Sequence, residues 1–258
     1  METITPYIGF RKSVSAEKYK LVCIPCAGYG ASFYNGWQKI FGDDAEVLQI
    51  QLPGHESRIS EPLITDCAEA ASGIAQALYP YVSEGKFSVF GHSMGGILAY
   101  EVSKKLTEMG CCPEVCFISS TSIEDWSGVT PSLQLSDGDF FERVSRFGGI
   151  DKDSEILKYP EFHSVFMKIL RADFSIIESY EYDGEKLSCP VLCMCGDSDP
   201  METLENMKSW ENYTDCGDIR YIRYSGDHFY LKDQPEKVCG DIKALISDCR
   251  IRRRHQWH

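Results

Sequence analysis

Gly91-His92-Ser93-Met94-Gly95 reads G-x-S-x-G, a pattern that can lift a serine hydroxyl out of a sharp strand-to-helix turn. The pentapeptide is short enough to recur by chance, so its setting decides its meaning. Phe87–Phe90 before it is apolar and strand-like, and Gly96-Ile97-Leu98-Ala99-Tyr100-Glu101 after it reads as a helix. A nucleophile elbow needs that order. Its glycines leave strained backbone uncrowded, the strain exposes Oγ, and the helix N-terminus favours negative charge beside it. The competing reading is a glycine-rich turn with an incidental serine.

A hydroxyl is a weak nucleophile until a base takes its proton, and in this arrangement an acid and then a histidine follow the serine along the chain. His92 sits inside the elbow, His55 precedes it, His163 falls in a helical stretch, and His255 and His258 are at the end. His228, in the turn-rich Ser225-Gly226-Asp227-His228-Phe229 after a strand, is the candidate base; the alternative is a structural turn histidine. The strand Pro190–Cys195 runs into Gly196-Asp197-Ser198-Asp199-Pro200, which offers two carboxylates. Asp199 is the preferred orienting acid, and Asp197 the alternative, since it can instead cap the local turn. An oxyanion needs N–H donors. Met94, directly after the serine, supplies one. Ala27, in Pro25-Cys26-Ala27-Gly28-Tyr29-Gly30, supplies the other, with Cys26 as alternative. Read as a phosphate cradle, this loop lacks the third glycine of G-x-G-x-x-G and the lysine of a P-loop.

Such side chains need a scaffold. Strand-like runs recur at Lys20–Pro25, Glu46–Leu52, Phe87–Phe90, Glu114–Ser119, Pro190–Cys195 and Ile219–Tyr224. Several are continuously apolar, as strands covered on both faces are. Helical patterns lie between them at Asp66–Tyr79, Gly96–Met109 and Glu236–Asp248. The alternation predicts a single α/β domain over residues 1–258 with a mostly parallel sheet. Ser122–Gly184 breaks the rhythm and reads as a helical insertion over one end of the sheet. Its apolar positions at helical spacing are Phe140, Phe141, Val144, Phe147, Phe162, Val165, Phe166 and Ile169; lid and added core are the two readings.

Composition closes off other classes. The chain has 258 residues, 43% of them hydrophobic and 25% charged, enough for a sizeable core. The formal charge is −13, and setting aside Arg250, Arg252, Arg253 and Arg254 in the tail takes the body to −17. Such a surface repels nucleic acid. The tail, 250–258, is expected to be a loose end. No apolar run reaches the ~18–20 residues of a membrane helix, and METITPYIGFRKSVS lacks a signal-peptide core, so a cytoplasmic protein is expected. Cys23-x-x-Cys26 has no second pair nearby to complete a zinc site, and the twelve cysteines read as reduced core residues.

Together these residues resemble the type II (external) thioesterases of nonribosomal peptide and polyketide synthesis, members of the α/β-hydrolase superfamily. The resemblance spans nearly the whole chain. It rests on Pro25-Cys26-Ala27-Gly28, Ala31-Ser32-Phe33-Tyr34 and Trp37, then Gln51-Leu52-Pro53-Gly54-His55-Glu56-Ser57-Arg58 and Gly91–Gly96. It continues through Phe147-Gly148-Gly149, Leu170-Arg171-Ala172-Asp173-Phe174, Gly196–Pro200 and Asp227-His228-Phe229-Tyr230-Leu231. Cys26 stands where the family often has an aromatic residue or histidine, and Asp227 where it commonly has glycine. The resemblance implies an α/β-hydrolase fold with a helical lid at 122–184. It also implies release of acyl groups from the phosphopantetheine arms of acyl- or peptidyl-carrier proteins, as editing or housekeeping. In this reading Ser93 attacks, His228 is the base, Asp199 orients it, and no metal or organic cofactor is needed. The rivals are a small-molecule carboxylesterase, an acyltransferase and a non-catalytic carrier-protein binder.

Overall fold

A computed structural model describes residues 5–11, 18–123, 129–145 and 160–255. The strands are β1 (Ile8–Phe10), β2 (Tyr19–Ile24), β3 (Ala45–Ile50), β4 (Phe87–His92), β5 (Cys116–Ser119), β6 (Val191–Gly196) and β7 (Ile219–Tyr224). The helices are α1 (Trp37–Phe41), α2 (Cys67–Val82), α3 (Met94–Glu108), α4 (Asp137–Ser145), α5 (Pro160–Glu178), α6 (Leu204–Met207), α7 (Tyr230–Asp233) and α8 (Pro235–His255).

The strands form one sheet in the order β1-β3-β2-β4-β5-β6-β7, parallel throughout except for β1, which runs antiparallel along β3. Every residue of β2 to β6 is buried, as in strands covered on both faces, whereas β7 at the edge, Ile-Arg-Tyr-Ile-Arg-Tyr, is only partly covered until its last residue. One face packs on α2 and α3 through Ile74, Leu78, Leu98 and Val102; the other packs on α1 and α8 through Trp37, Phe41, Val238 and Ile242. The mostly parallel, helix-flanked sheet is the α/β-hydrolase architecture expected from the sequence. Helix α2 begins where Asp66 accepts the Glu69 N–H at 2.7 Å, satisfying one of the donors a helix start leaves open.

Several boundaries differ. The expected strand at 114–119 begins at Cys116. The last helix continues to His255, so the arginines assigned to a loose end extend α8 as far as the described residues go. Phe147-Gly148-Gly149 and the side chain of Phe162 lie outside the described residues. Within α5 the apolar face is rotated from the expected one. Met167, Leu170 and Phe174 are buried with Phe140 and Val144 of α4, while Val165 is 48% exposed. Spacing alone gives a helix its stripe; only the packing partner says which of two overlapping stripes is turned inward.

Candidate active site

Ser93 stands between β4 and α3 with φ 54° and ψ −123°, a strained conformation for a residue with a side chain. The turn closes because its neighbours are glycines. A Cβ on Gly91 would lie 1.8 Å from the Gly95 carbonyl oxygen, and one on Gly95 would lie 2.2 Å from the Ile24 oxygen at the end of β2. Two hydrogen bonds hold the strain: Ser93 N–H donates to Ser119 O on β5 at 2.8 Å, and Gly96 N–H donates to Ser93 O at 2.7 Å. Met94 begins α3, so the positive end of that helix faces the serine.

His228 lies in the loop after β7 and Asp199 in the loop after β6. Parallel pairing of these strands, Gly196 opposite Tyr224, sets the loops side by side at one end of the sheet. His228 Nδ1 donates to Asp199 Oδ2 at 2.9 Å, and both side chains are almost wholly buried. The other carboxylate oxygen, Oδ1, accepts the N–H groups of Met201 at 3.0 Å and Glu202 at 3.1 Å. Burial opposes its charge, but the hydrogen bond and charge of His228 and these two donors hold Asp199 below the usual carboxylate range. Asp197, the alternative, faces away: its Oδ1 accepts from Gly226 N–H and Ser198 Oγ, both at 3.0 Å.

His92, next to the serine in sequence, makes a different set of bonds. Its Nδ1 is 2.9 Å from Ser119 Oγ, which in turn pairs with the Tyr230 hydroxyl at 2.7 Å. Burial, with the nearby His228 and Lys232, pushes its proton affinity well down, so His92 is a neutral ring packed 5.0 Å from the His228 ring.

Ser93 and His228 open into one cleft of about 460 Å³, mouth included, lined by Cys26, Ala27 and Tyr29 from the loop after β2 and by Phe229. Val144 of α4 and Phe166, Leu170, Phe174 and Ile177 of α5 complete its apolar wall. The structure thus gathers Ser93, His228, Ala27 and Cys26 around one space, with Asp199 behind His228. Cys26 is 2% exposed, and its thiol is pushed up by burial, against the pull of Lys232; it is a neutral wall group and not a nucleophile. Lys232 was not singled out in the sequence. Its ammonium sits 4.1 Å from the Tyr29 ring centroid and 4.9 Å from those of Phe33 and Phe229, and only the fold of α7 against the first loop brings them together.

A strained serine, a buried histidine–carboxylate pair and an apolar cleft are equipment for acyl transfer through a covalent intermediate. Comparison with known proteins narrows the acyl bond. The thioesterase domain family matches residues 19–246. Thioesterase PikA5 of Streptomyces venezuelae is 32% identical over 225 residues, 86% of this chain and 79% of that protein. The human S-acyl fatty acid synthase thioesterase, medium chain, is 31% identical over 238 residues, covering 90% of this chain and 87% of that one. Among solved structures, YbtT, a type II thioesterase from the yersiniabactin NRPS/PKS biosynthetic pathway, superposes with a TM-score of 0.80 at 26% identity, covering 92% of this chain and 96% of that one. A family match from the second strand to the last helix, on a sheet that presents a strained serine under an apolar cleft, places the chain in the thioesterase family, as a thioester hydrolase.

Proposed function

We propose that the chain releases acyl groups from the phosphopantetheine arms of carrier proteins in nonribosomal peptide or polyketide synthesis, with Ser93, His228 and Asp199 as its catalytic triad. The carrying observation is the cleft, which puts Ser93 and His228 at the foot of an apolar wall supplied by α4 and α5. Ser93 Oγ attacks the thioester carbonyl while His228 Nε2 takes its proton. The N–H groups of Ala27 and Met94 receive the oxyanion. Collapse expels the pantetheine thiol, protonated by His228, and leaves an acyl-serine. His228 then deprotonates a water that attacks the ester and returns the proton to Ser93 as the free acid departs. Asp199 keeps Nδ1 protonated, so that Nε2 is the basic nitrogen, and stabilises the imidazolium formed at each step.

The segment 122–184 acts in this reading as a lid on a single domain, its α5 residues forming the acyl-contacting wall. The relatives support this substrate class: one is named a fatty acid synthase thioesterase, and YbtT a type II thioesterase of an NRPS/PKS biosynthetic pathway. A body of charge −17 repels an acidic carrier, so docking uses a local rim, and Lys232 beside the cleft supplies a cation there. No helix among the described residues is long and apolar enough to cross a membrane; a cytoplasmic site of action is part of the proposal. The test compares kcat/KM for one acyl group on a carrier protein and on a small pantetheine-like thiol. A higher value on the carrier is expected, because contacts remote from the carbonyl can be used in the transition state. Equal values reject the carrier-directed function in favour of a general esterase.

A further inference from the structure

Two motifs that carry the family resemblance each hold a buried titratable side chain with no part in the chemistry above: His55 in Gln51–Arg58 and Asp173 in Leu170–Phe174. The fold joins them. His55 Nε2 lies 2.9 Å from Asp173 Oδ2, and the Gly28 N–H donates to that same oxygen at 2.7 Å. Asp173 is fully buried and His55 is 3% exposed. Asp173 Oδ1 is buried and has no hydrogen-bond partner among the described residues, and both contacts named above fall on Oδ2. On its other side His55 Nδ1 is 3.0 Å from the Pro53 carbonyl oxygen. Both ring nitrogens therefore face acceptors, an arrangement satisfied only when both carry protons.

Gly28 is the residue after Ala27. It has φ +80°, and a Cβ there would stand 3.0 Å from Leu170 Cδ1 and 3.3 Å from Phe166 Cε2, both on α5. The loop after β2 is thus pressed against the same helix that reaches its N–H with Asp173. A hydrogen bond to the Gly28 N–H fixes the plane of the Ala27–Gly28 peptide and so restrains, from its C-terminal side, the backbone at Ala27, whose own N–H lies in the preceding peptide.

We propose that Asp173 and His55 are positioning residues for thioester hydrolysis: with Asp173 set against the loop by α5, they hold the Ala27–Gly28 peptide and through it restrain the backbone at Ala27, so that the N–H of the preceding Cys26–Ala27 peptide points at the developing oxyanion. This rests on the reading of Ser93 as nucleophile and Ala27 as oxyanion donor. The pair is needed as a pair. A lone carboxylate buried beside that loop would repel the negative charge forming on the carbonyl oxygen, and an imidazolium on Asp173 cancels it. Burial works against the charge on His55, yet the hydrogen bond and charge of Asp173 outweigh it and raise its proton affinity. The charged groups facing His55 are Asp173 from α5 and Glu56 beside it in the chain. Loss of the His55 proton at high pH would therefore uncover the Asp173 charge and slow the reaction.

The test uses the full chain, one acyl thioester, and the variants Asp173→Ala and His55→Gln, with melting temperatures recorded alongside. Asp173→Ala is expected to lower kcat about 10²-fold, the cost of one misdirected oxyanion donor, with KM changed by less than about threefold. His55→Gln keeps a donor toward Asp173 without a titrating charge. It should lose less rate, and the alkaline fall in kcat expected of the parent should be absent. A kcat near the parent's in folded Asp173→Ala overturns the proposal, as does an alkaline limb unchanged in His55→Gln. Where Asp173→Ala does not fold, the His55→Gln profile decides. Labelling of the parent and of Ser93→Ala with a fluorophosphonate separates the two readings. No label on the parent removes the nucleophile itself, whereas a labelled Ser93 with an unaffected Asp173→Ala removes only the positioning role.

Discussion

Replacing Asp199 by asparagine changes one atom at the point where the proposed mechanism is most exposed. The carboxylate makes three hydrogen bonds, Oδ2 to His228 Nδ1 and Oδ1 to the Met201 and Glu202 N–H groups. An asparagine keeps the two backbone bonds by leaving its oxygen at Oδ1, which turns its NH₂ toward His228. That NH₂ is a donor, so Nδ1 must become the acceptor and the ring proton moves to Nε2. The ring then has no lone pair to offer Ser93. A wrong tautomer with intact geometry costs about 10⁴ in kcat, or roughly 5.5 kcal/mol of barrier. Asp197→Asn is the internal control: the Asp197 carboxylate accepts from Gly226 N–H and Ser198 Oγ and not from His228, so its kcat should stay within a few-fold of the parent. The assay is steady-state thioester hydrolysis with the freed thiol trapped, on proteins matched for melting temperature. The pH dependence of folding gives a second check. Because Asp199 is held below the usual carboxylate range in the fold, its contribution to stability is full above the unfolded-state value and lost as pH falls through the folded one. Asp199→Asn should therefore melt with a flatter acid profile. A kcat for Asp199→Asn within tenfold of the parent, or a larger loss in Asp197→Asn, would refute the assignment of the orienting acid.

Ser93→Ala should lose on the order of 10⁶ in kcat while keeping its fold, since triad members act as a unit; more than a few percent residual activity in a clean preparation removes Ser93 from the mechanism. Gly95→Ala should destabilise by about 1–3 kcal/mol, because its Cβ would meet the Ile24 oxygen at 2.2 Å and the Pro25 oxygen at 2.6 Å, backbone atoms that cannot turn aside. Thermal melting reads this, and an unchanged midpoint shows the elbow to be looser than described.

The strand–turn–helix around Ser93 was legible because the constraint is local: glycines at 91 and 95 mark where β4 and α3 come too close for a side chain. Asp199 over Asp197 was legible as a preference, and the geometry separates them through a loop turn that brings only one to His228. The short edge strand Ile8–Phe10 was not legible. It has three residues with only the first buried, too little pattern to stand above a loop, and it exists by pairing with β3. The buried face of α5 was misplaced because Val165 and Ile169 make as good a stripe in sequence as Met167, Leu170 and Phe174. The meeting of His55 with Asp173, 118 residues apart, has no local signature at all.

The chain leaves the sheet at the end of β5 and re-enters it at β6, and these two strands are immediate neighbours, paired from Cys116–Val191 to Ser119–Met194. The segment between them can therefore vary without altering a strand register, save where Leu187 bridges Thr214 and where Ile176, Leu187 and Cys189 belong to the core packed on the sheet. Substrate range is in this sense detachable from chemistry: a descendant, or an engineer, can graft a different insertion and keep the hydrolytic machinery. The Gly28–Asp173 bond sets the terms of the graft. A foreign segment that fills the cleft but brings no acceptor to that N–H would inherit a new specificity along with a slower enzyme.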